Sequence, residues 1–268
     1  MLNPNDYVTT NRVLWDKKTP FHTASAFYAV DDFVAGTNTL KEIELDLLGE
    51  IKDKTVLHLQ CHFGQDTLSL ARMGAKVTGA DFSGVAIEAA RALNDQLQLD
   101  AQFICSNIYD LPSVHTGQYD IVFSSYGTIV WLADIAGWAK VVETFLRPGG
   151  RFIFAETHPL TLMYDDNLTS IIYPYFNKGM IVENEQGTYA DREADITLPS
   201  NTWNHSLADV LQSLINAGLS ITAFREYDYA PHACFGNMVE VAPGRFQIKG
   251  MEGMPPLVYA LEARKPND

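Results

Sequence analysis

The 268-residue sequence has little cysteine, little positive charge and no long apolar run. Its three cysteines, Cys61, Cys105 and Cys234, are too few and odd in number for a disulfide framework, and they fit a reducing compartment. Lysine and arginine together number 19 against 33 aspartates and glutamates, a formal charge of −14. Affinity for a phosphate backbone comes mostly from Lys and Arg, so no nucleic-acid partner is expected. No stretch approaches the ~20 apolar residues of a membrane span, and residues 1–10 carry no apolar segment of the kind a signal peptide needs. Together these absences predict a cytoplasmic protein with no membrane partner; a monomer or homodimer is expected, and the sequence does not choose between them. Internal repeats and low-complexity tracts are also missing.

What is present is an ordinary globular composition, 47% apolar and 19% charged. A chain of this length buries roughly 70–75% of its unfolded surface, so neither disulfides nor a structural metal is needed to explain folding. From Lys54 onward, short apolar runs alternate with helical periodicity. Residues 55–59, 76–81, 101–105, 119–123 and 151–155 read as strands. Between them, Leu68, Leu70, Ala71 and Met73 mark a helix that stops at Gly74. Ser83 caps a helix through Val85, Ile87, Ala90 and Leu93, and another helix spans 134–145. Strands that are apolar on both faces and separated by helices imply a parallel sheet covered on both sides.

The flanks are less regular. Leu40, Ile43, Leu47 and Leu48 define a helix over 39–48, preceded by scattered aromatic residues. The alternation breaks at Thr157. Residues 159–203 hold short β-like pieces at 170–175, 180–184 and 188–191 and read as an antiparallel insertion or lid. Ser206, with Asp209 three residues on, opens a capped helix that ends at Gly218. Residues 219–227 and 257–263 read as the last two strands, and 228–256 as a long loop between them. The whole of 1–268 is therefore expected to be one domain, decorated by an N-terminal arm (1–50), the insertion (159–203) and the loop (228–256).

A chain that leaves a parallel strand and enters a helix presents free backbone N–H groups and a positive dipole end. Gly64 sits at that place after the first strand. Asp81 ends the second strand, 17 residues later. A carboxylate there is placed for a ribose diol, or else caps the following helix or lies in solvent. His58, Cys61 and His62 do not converge as metal ligands and lack a fourth, so no metal is expected.

In order and spacing, four segments resemble the motifs of class I S-adenosylmethionine-dependent methyltransferases. They are Val56-Leu57-His58-Leu59-Gln60-Cys61-His62-Phe63-Gly64, Val77-Thr78-Gly79-Ala80-Asp81-Phe82-Ser83, Tyr119-Asp120-Ile121-Val122 and Leu146-Arg147-Pro148-Gly149-Gly150. The resemblance covers roughly 50–160. It implies an α/β, Rossmann-like fold: a seven-stranded, mostly parallel sheet with helices on both faces, an antiparallel last strand and a small antiparallel insertion after the fifth. The first motif departs from the family, which usually has an acid at the position of His58 and glycines at those of Gln60 and His62. Only Gly64 remains of the glycine loop.

Carried over residue by residue, the resemblance assigns His58, Gln60 and Gly64 to the methionine part of the cofactor and Asp81 to the ribose hydroxyls. Phe82 and Ile108 flank the adenine, with Asn107 at its amino group, and Ser124, Ser125 and Tyr126 lie near the transferred methyl. His158, at the end of the fifth strand, is the candidate base, or else a cap of the turn before Pro159. His205 and His232 read as surface or turn residues. Trp15, Tyr28, Trp131, Tyr173 and Trp203 are candidates for the acceptor pocket, since aromatic walls suit a sulfonium and an organic acceptor; core packing is the other reading. The expected activity is methyl transfer from S-adenosylmethionine to a small-molecule acceptor, leaving S-adenosylhomocysteine. The alternative is a non-catalytic or regulatory protein of the same fold that binds either compound. A nicotinamide oxidoreductase would need the glycine fingerprint that residues 60–64 lack.

Overall fold

Residues 6–267 are described by a computed structural model. Three helices come first: α1 (Asp6–Ala24), α2 (Val30–Val34) and α3 (Glu42–Leu48). Strands and helices then alternate through β1 (Thr55–Leu59), α4 (Gln65–Arg72), β2 (Lys76–Asp81), α5 (Gly84–Leu97), β3 (Gln102–Cys105), α6 (Leu111–Val114), β4 (Tyr119–Ser125), α7 (Ile135–Phe145) and β5 (Leu146–Thr157). A hairpin of β6 (Ile181–Gln186) and β7 (Thr197–Thr202) follows, then α8 (Leu207–Asn216) and β8 (Ser220–Tyr227). A second hairpin, β9 (Met238–Ala242) and β10 (Arg245–Ile248), leads to β11 (Val258–Arg264).

The main sheet has the order β3-β2-β1-β4-β5-β11-β8. Strands β1 to β5 pair in parallel, and β11 runs antiparallel to both β5 and β8. This is the expected seven-stranded sheet with its antiparallel last strand, and the β6–β7 hairpin is the expected insertion. Alternate residues of each strand serve opposite cores. Leu57, Leu59, Val122, Phe152 and Phe154 pack with Trp138 and Val142 of α7 and Val210 and Leu214 of α8. Val56, Val77, Ile121, Phe123 and Ile153 pack with Ile43 and Leu47 of α3 and Leu70 of α4. Burial on both faces explains why these strands read as continuous apolar runs.

Three parts differ from the sequence reading. Of the β-like pieces at 170–175, 180–184 and 188–191 only the second is a strand, and it pairs with β7, further along the chain. The arm begins with a 19-residue helix, α1, where only scattered aromatics were visible. Its buried positions include Asn11, Lys18, Thr19 and His22 beside Leu14, so no apolar stripe announces it. The 228–256 segment holds the β9–β10 hairpin, anchored where Ala230 and Phe246 exchange backbone hydrogen bonds. Among the described residues no helix is long and apolar enough to cross a membrane.

Helix α1 is fastened to the β6–β7 hairpin. The Asn11 Nδ2 donates to Asn201 O at 2.7 Å, and Asn201 N donates to Asn11 Oδ1 at 2.9 Å. Lys18, buried, is paired with Glu185 of β6. At the other side of α1, the Ser83 hydroxyl donates to Asp16 Oδ1 at 2.6 Å. Replacing Asn11 by Ala leaves an N–H and a C=O of Asn201 buried without partners. The expected cost is about 2–4 kcal/mol in urea-unfolding measurements; an unchanged midpoint would show that water replaces both bonds.

Candidate active site

The order of the sheet reverses between β1 and β4, and a crevice opens there beyond the carboxyl ends of the strands. It forms a cavity of about 1240 Å³, walled by the loop after β1, the ends of β2, β3 and β4, helix α1 and the hairpin. The loop after β1 keeps the backbone of a glycine loop while carrying side chains. Gln60 and His62 have φ of 55° and 51°, and Gly64 has φ of 82°. Each non-glycine residue held in this region costs on the order of 1 kcal/mol. At Gly64 a second reason adds to the first: a Cβ would stand 2.7 Å from the Phe103 ring.

Asp81 ends β2 and faces the cavity. Its Oδ2 accepts from His62 N and its Oδ1 from Ser83 N, both at 2.9 Å. Burial pushes its pKa up to about 6, against the pull of those N–H groups. Ser83, not Asp81, is the side-chain cap of α5. Phe82, Asn107 and Ile108 line the same wall, and Asn107 Oδ1 accepts from Tyr109 N at 3.2 Å.

His58 is buried on β1, held neutral with a pKa of about 3, and its Nδ1 lies 2.8 Å from Thr67 Oγ1. Gln60 Nε2 donates to Thr128 O at 2.8 Å, which leaves Oε1 buried and unpartnered. Ser125 and Tyr126 also line the cavity. The Tyr126 hydroxyl donates to Glu44 Oε2 at 2.7 Å. The turn after β4 is held by Glu156, whose carboxylate accepts from the N–H groups of Gly127, Thr128, Ile129 and Thr157 at 2.5–3.2 Å. Glu156 therefore builds the wall and is not offered to a ligand.

Three candidates lie outside the cavity. His158 is turned away from it: its Nε2 lies 2.9 Å from Glu226 Oε1 and its Nδ1 accepts from Leu160 N at 3.1 Å. Both ring nitrogens are used, so it caps a turn and has no free position for a substrate proton. Ser124 is fully buried and donates to Thr128 Oγ1 at 3.2 Å. Trp203 packs edge-on against Tyr7, with ring centres 4.8 Å apart. Sequence neighbours line the cavity instead: Thr157 beside His158, Ser125 beside Ser124, and Thr202 and Asn204 on either side of Trp203.

Trp15, Tyr28, Trp131 and Tyr173 do line it. Trp15 meets Trp131 at 5.3 Å, and Lys18 Nζ lies 5.5 and 5.7 Å from the two ring centres. The hydroxyls of Tyr28 and Tyr189 are hydrogen-bonded, as are Tyr173 and Glu183.

The comparisons with known proteins bear on this geometry. Residues 56–150 match the family described as a methyltransferase domain. Among curated proteins, the ubiquinone biosynthesis O-methyltransferase of Acinetobacter baylyi is 31% identical over 108 residues, covering 40% of this chain and 45% of that protein. Its namesake from Serratia proteamaculans is 28% identical over 111 residues, covering 41% and 46%. The chain thus spans a little under half the length of these relatives. Among solved structures, an S-adenosylmethionine-dependent methyltransferase from Clostridium acetobutylicum superposes with a TM-score of 0.58 at 14% identity, covering 96% of this chain and 98% of that one. Geranyl diphosphate C-methyltransferase from Streptomyces coelicolor, solved with S-adenosyl-L-homocysteine, gives 0.54 at 14% identity, covering 84% and 74%. Residues 56–150 are thus similar to a methyltransferase domain.

Around this matched segment the fold brings in residues that periodicity did not point to. His22 of α1 places its Nδ1 2.9 Å from His62 Nε2. Burial keeps both imidazoles neutral, His22 with a pKa of about 3, and the nearby Lys18 charge acts in the same direction. Among the described residues His22 Nε2 and His62 Nδ1 have no partner. His232, from the segment before β9, lines the cavity with its ring 5.4 Å from Phe27 and 6.0 Å from Tyr126. Its pKa is lowered to about 4 by burial, and among the described residues its ring nitrogens form no hydrogen bond. Histidine identity was the one signal available in the sequence; nothing marked which of the seven would face the cavity.

Glu44 gives the site a pH-dependent element. Burial raises its pKa from 4.5 to about 7. A raised carboxyl pKa means that folding is favoured by the protonated form, and this contribution is lost as pH rises from about 4.5 through 7. Glu44→Gln is therefore expected to gain on the wild type by up to about 3 kcal/mol between pH 4 and pH 8 in chemical unfolding. A difference that does not change with pH would show that the fold leaves the Glu44 pKa where it is in the unfolded chain.

Proposed function

We propose that the protein transfers a methyl group from S-adenosylmethionine to a small-molecule acceptor and releases S-adenosylhomocysteine. The observation that carries this reading is the Asp81 carboxylate, set at the end of β2 beside a left-handed loop in a chain that matches the methyltransferase-domain family. The donor set fits the cofactor: a carboxylate for the ribose diol, an apolar pair in Phe82 and Ile108 for the adenine, and the unused acceptor Gln60 Oε1 at the methionine end. When bound, the cofactor supplies a sulfonium-activated methyl group whose displacement needs no proton on the leaving group. The protein's share is alignment and exclusion of water. Helix α1 and the β6–β7 hairpin close over the crevice with Trp15, Tyr28, Trp131 and Tyr189, aromatic faces that tolerate positive charge. For an acceptor that must lose a proton, His232 is the neutral imidazole on the acceptor side. The names of the curated relatives favour an oxygen acceptor.

Calorimetry tests the reading directly. The wild-type protein should bind S-adenosylhomocysteine, and Asp81→Ala should weaken that binding by about 30-fold or more. No binding by the wild type would overturn it. Gln60 and His62, standing where the family has glycines, favour the second reading of a binding protein without turnover. Binding with no methylated product across a panel of phenols, amines and thiols would decide for that second reading.

A further inference from the structure

The position at the end of β1 that is usually acidic in this family holds His58, which is neutral and bonded to Thr67. It offers the cavity no negative charge. Thr67 stands in the first turn of α4, and the residue before it, Asp66, lines the cavity wall. Asp66 Oδ1 accepts from Thr39 Oγ1 at 2.6 Å, while Oδ2 has only a long contact of 3.5 Å from Ser125 Oγ. Among the described residues no Lys, Arg or His forms an ion pair with it. The charge of Lys41, on the same wall, pulls the Asp66 carboxyl down but does not overcome burial, which raises it.

A half-buried carboxylate whose nearest counter-charge, Lys41, makes no ion pair with it is unfavourable unless a ligand adds positive charge. Across the cavity wall, Gln60 Oε1 is a second acceptor with no donor among the described residues. Two underused acceptors, one of them anionic, call for a cationic group rich in N–H donors and repel a carboxylate. We propose that Asp66 takes over from the missing strand-end acid and, with Gln60 Oε1, binds the ammonium group at the amino-acid end of the cofactor. The inference rests on the cofactor reading above and deepens it. The neighbouring positions 66 and 67 divide the work: Thr67 secures the neutral His58 behind the loop, and Asp66 presents the charge in front of it.

The test compares three ligands on the wild type and on Asp66→Asn, which keeps the shape and the acceptor for Thr39. S-adenosylhomocysteine carries the ammonium, its deaminated analogue lacks only that group, and 5′-methylthioadenosine lacks the whole amino-acid end. Asp66→Asn should weaken S-adenosylhomocysteine binding by about 10- to 100-fold and leave 5′-methylthioadenosine within about twofold. On the wild type, the deaminated analogue should bind more weakly than S-adenosylhomocysteine by a similar factor, and the substitution should add little further loss for it. Equal losses for all three ligands would show that Asp66 only supports the wall, and unchanged binding of all three would also overturn the proposal. A wild type that binds S-adenosylhomocysteine and its deaminated analogue equally well overturns the proposal without any variant. A wild type that binds none of the three overturns the cofactor reading itself.

Discussion

β1 and β4 lie side by side and parallel, and the chain leaves them toward opposite faces of the sheet, into α4 on one side and α7 on the other. At that edge the strand ladder stops, and the backbone groups beyond it need other partners. Side chains provide them. The Glu156 carboxylate gathers three N–H groups of the turn after β4 and that of Thr157, Asp81 takes those of His62 and Ser83, and Gln60 Nε2 takes Thr128 O. The crevice is therefore walled by polar groups already aimed at the loops. Asp81, Asp66 and Gln60 line the crevice with acceptor capacity left over.

The cover over the crevice follows a different rule. Helix α1 and the β6–β7 hairpin meet through polar side chains, Asn11 with Asn201 and Lys18 with Glu185, instead of an apolar seam. A polar seam of this kind is stable only when its groups are satisfied, which makes it specific in register. The buried Lys18 charge is shared between Glu185 and the faces of Trp15 and Trp131, and it helps keep His22 and His62 uncharged. Charge, aromatic surface and neutral imidazoles are thus coupled in one small region above the first loop.

The misplaced site residues share one cause. His158, Ser124 and Trp203 each lie one position away from a residue that lines the cavity. Side chains on extended backbone alternate between faces, so a shift of one residue exchanges cavity for core. A sequence shows where a strand ends but not which parity faces the ligand. Gly64 and Asp81 escaped this uncertainty. Gly64 is marked by its lack of a side chain. Asp81 is the carboxylate that closes an apolar strand just before a capped helix. Helix α1 escaped notice for the opposite reason: its inner face meets a polar cavity and a polar hairpin, so Asn11, Lys18 and His22 occupy positions where the 3.6-residue period leads one to look for leucine and isoleucine.

The sequence by itself determined the parallel sheet, its order of strands and helices, and the place where a ligand loop must lie, because two-sided burial and helix caps leave short-range patterns. Only the tertiary structure decided which polar groups meet. Asp66 and Ser125, His22 and His62, and Lys18 and Glu185 are 59, 40 and 167 residues apart along the chain. No local periodicity links residues so distant. Their encounter depends on how α1, the hairpin and the first loop pack over the sheet, and the charge and hydrogen-bonding capacity left in the cavity depend on it too.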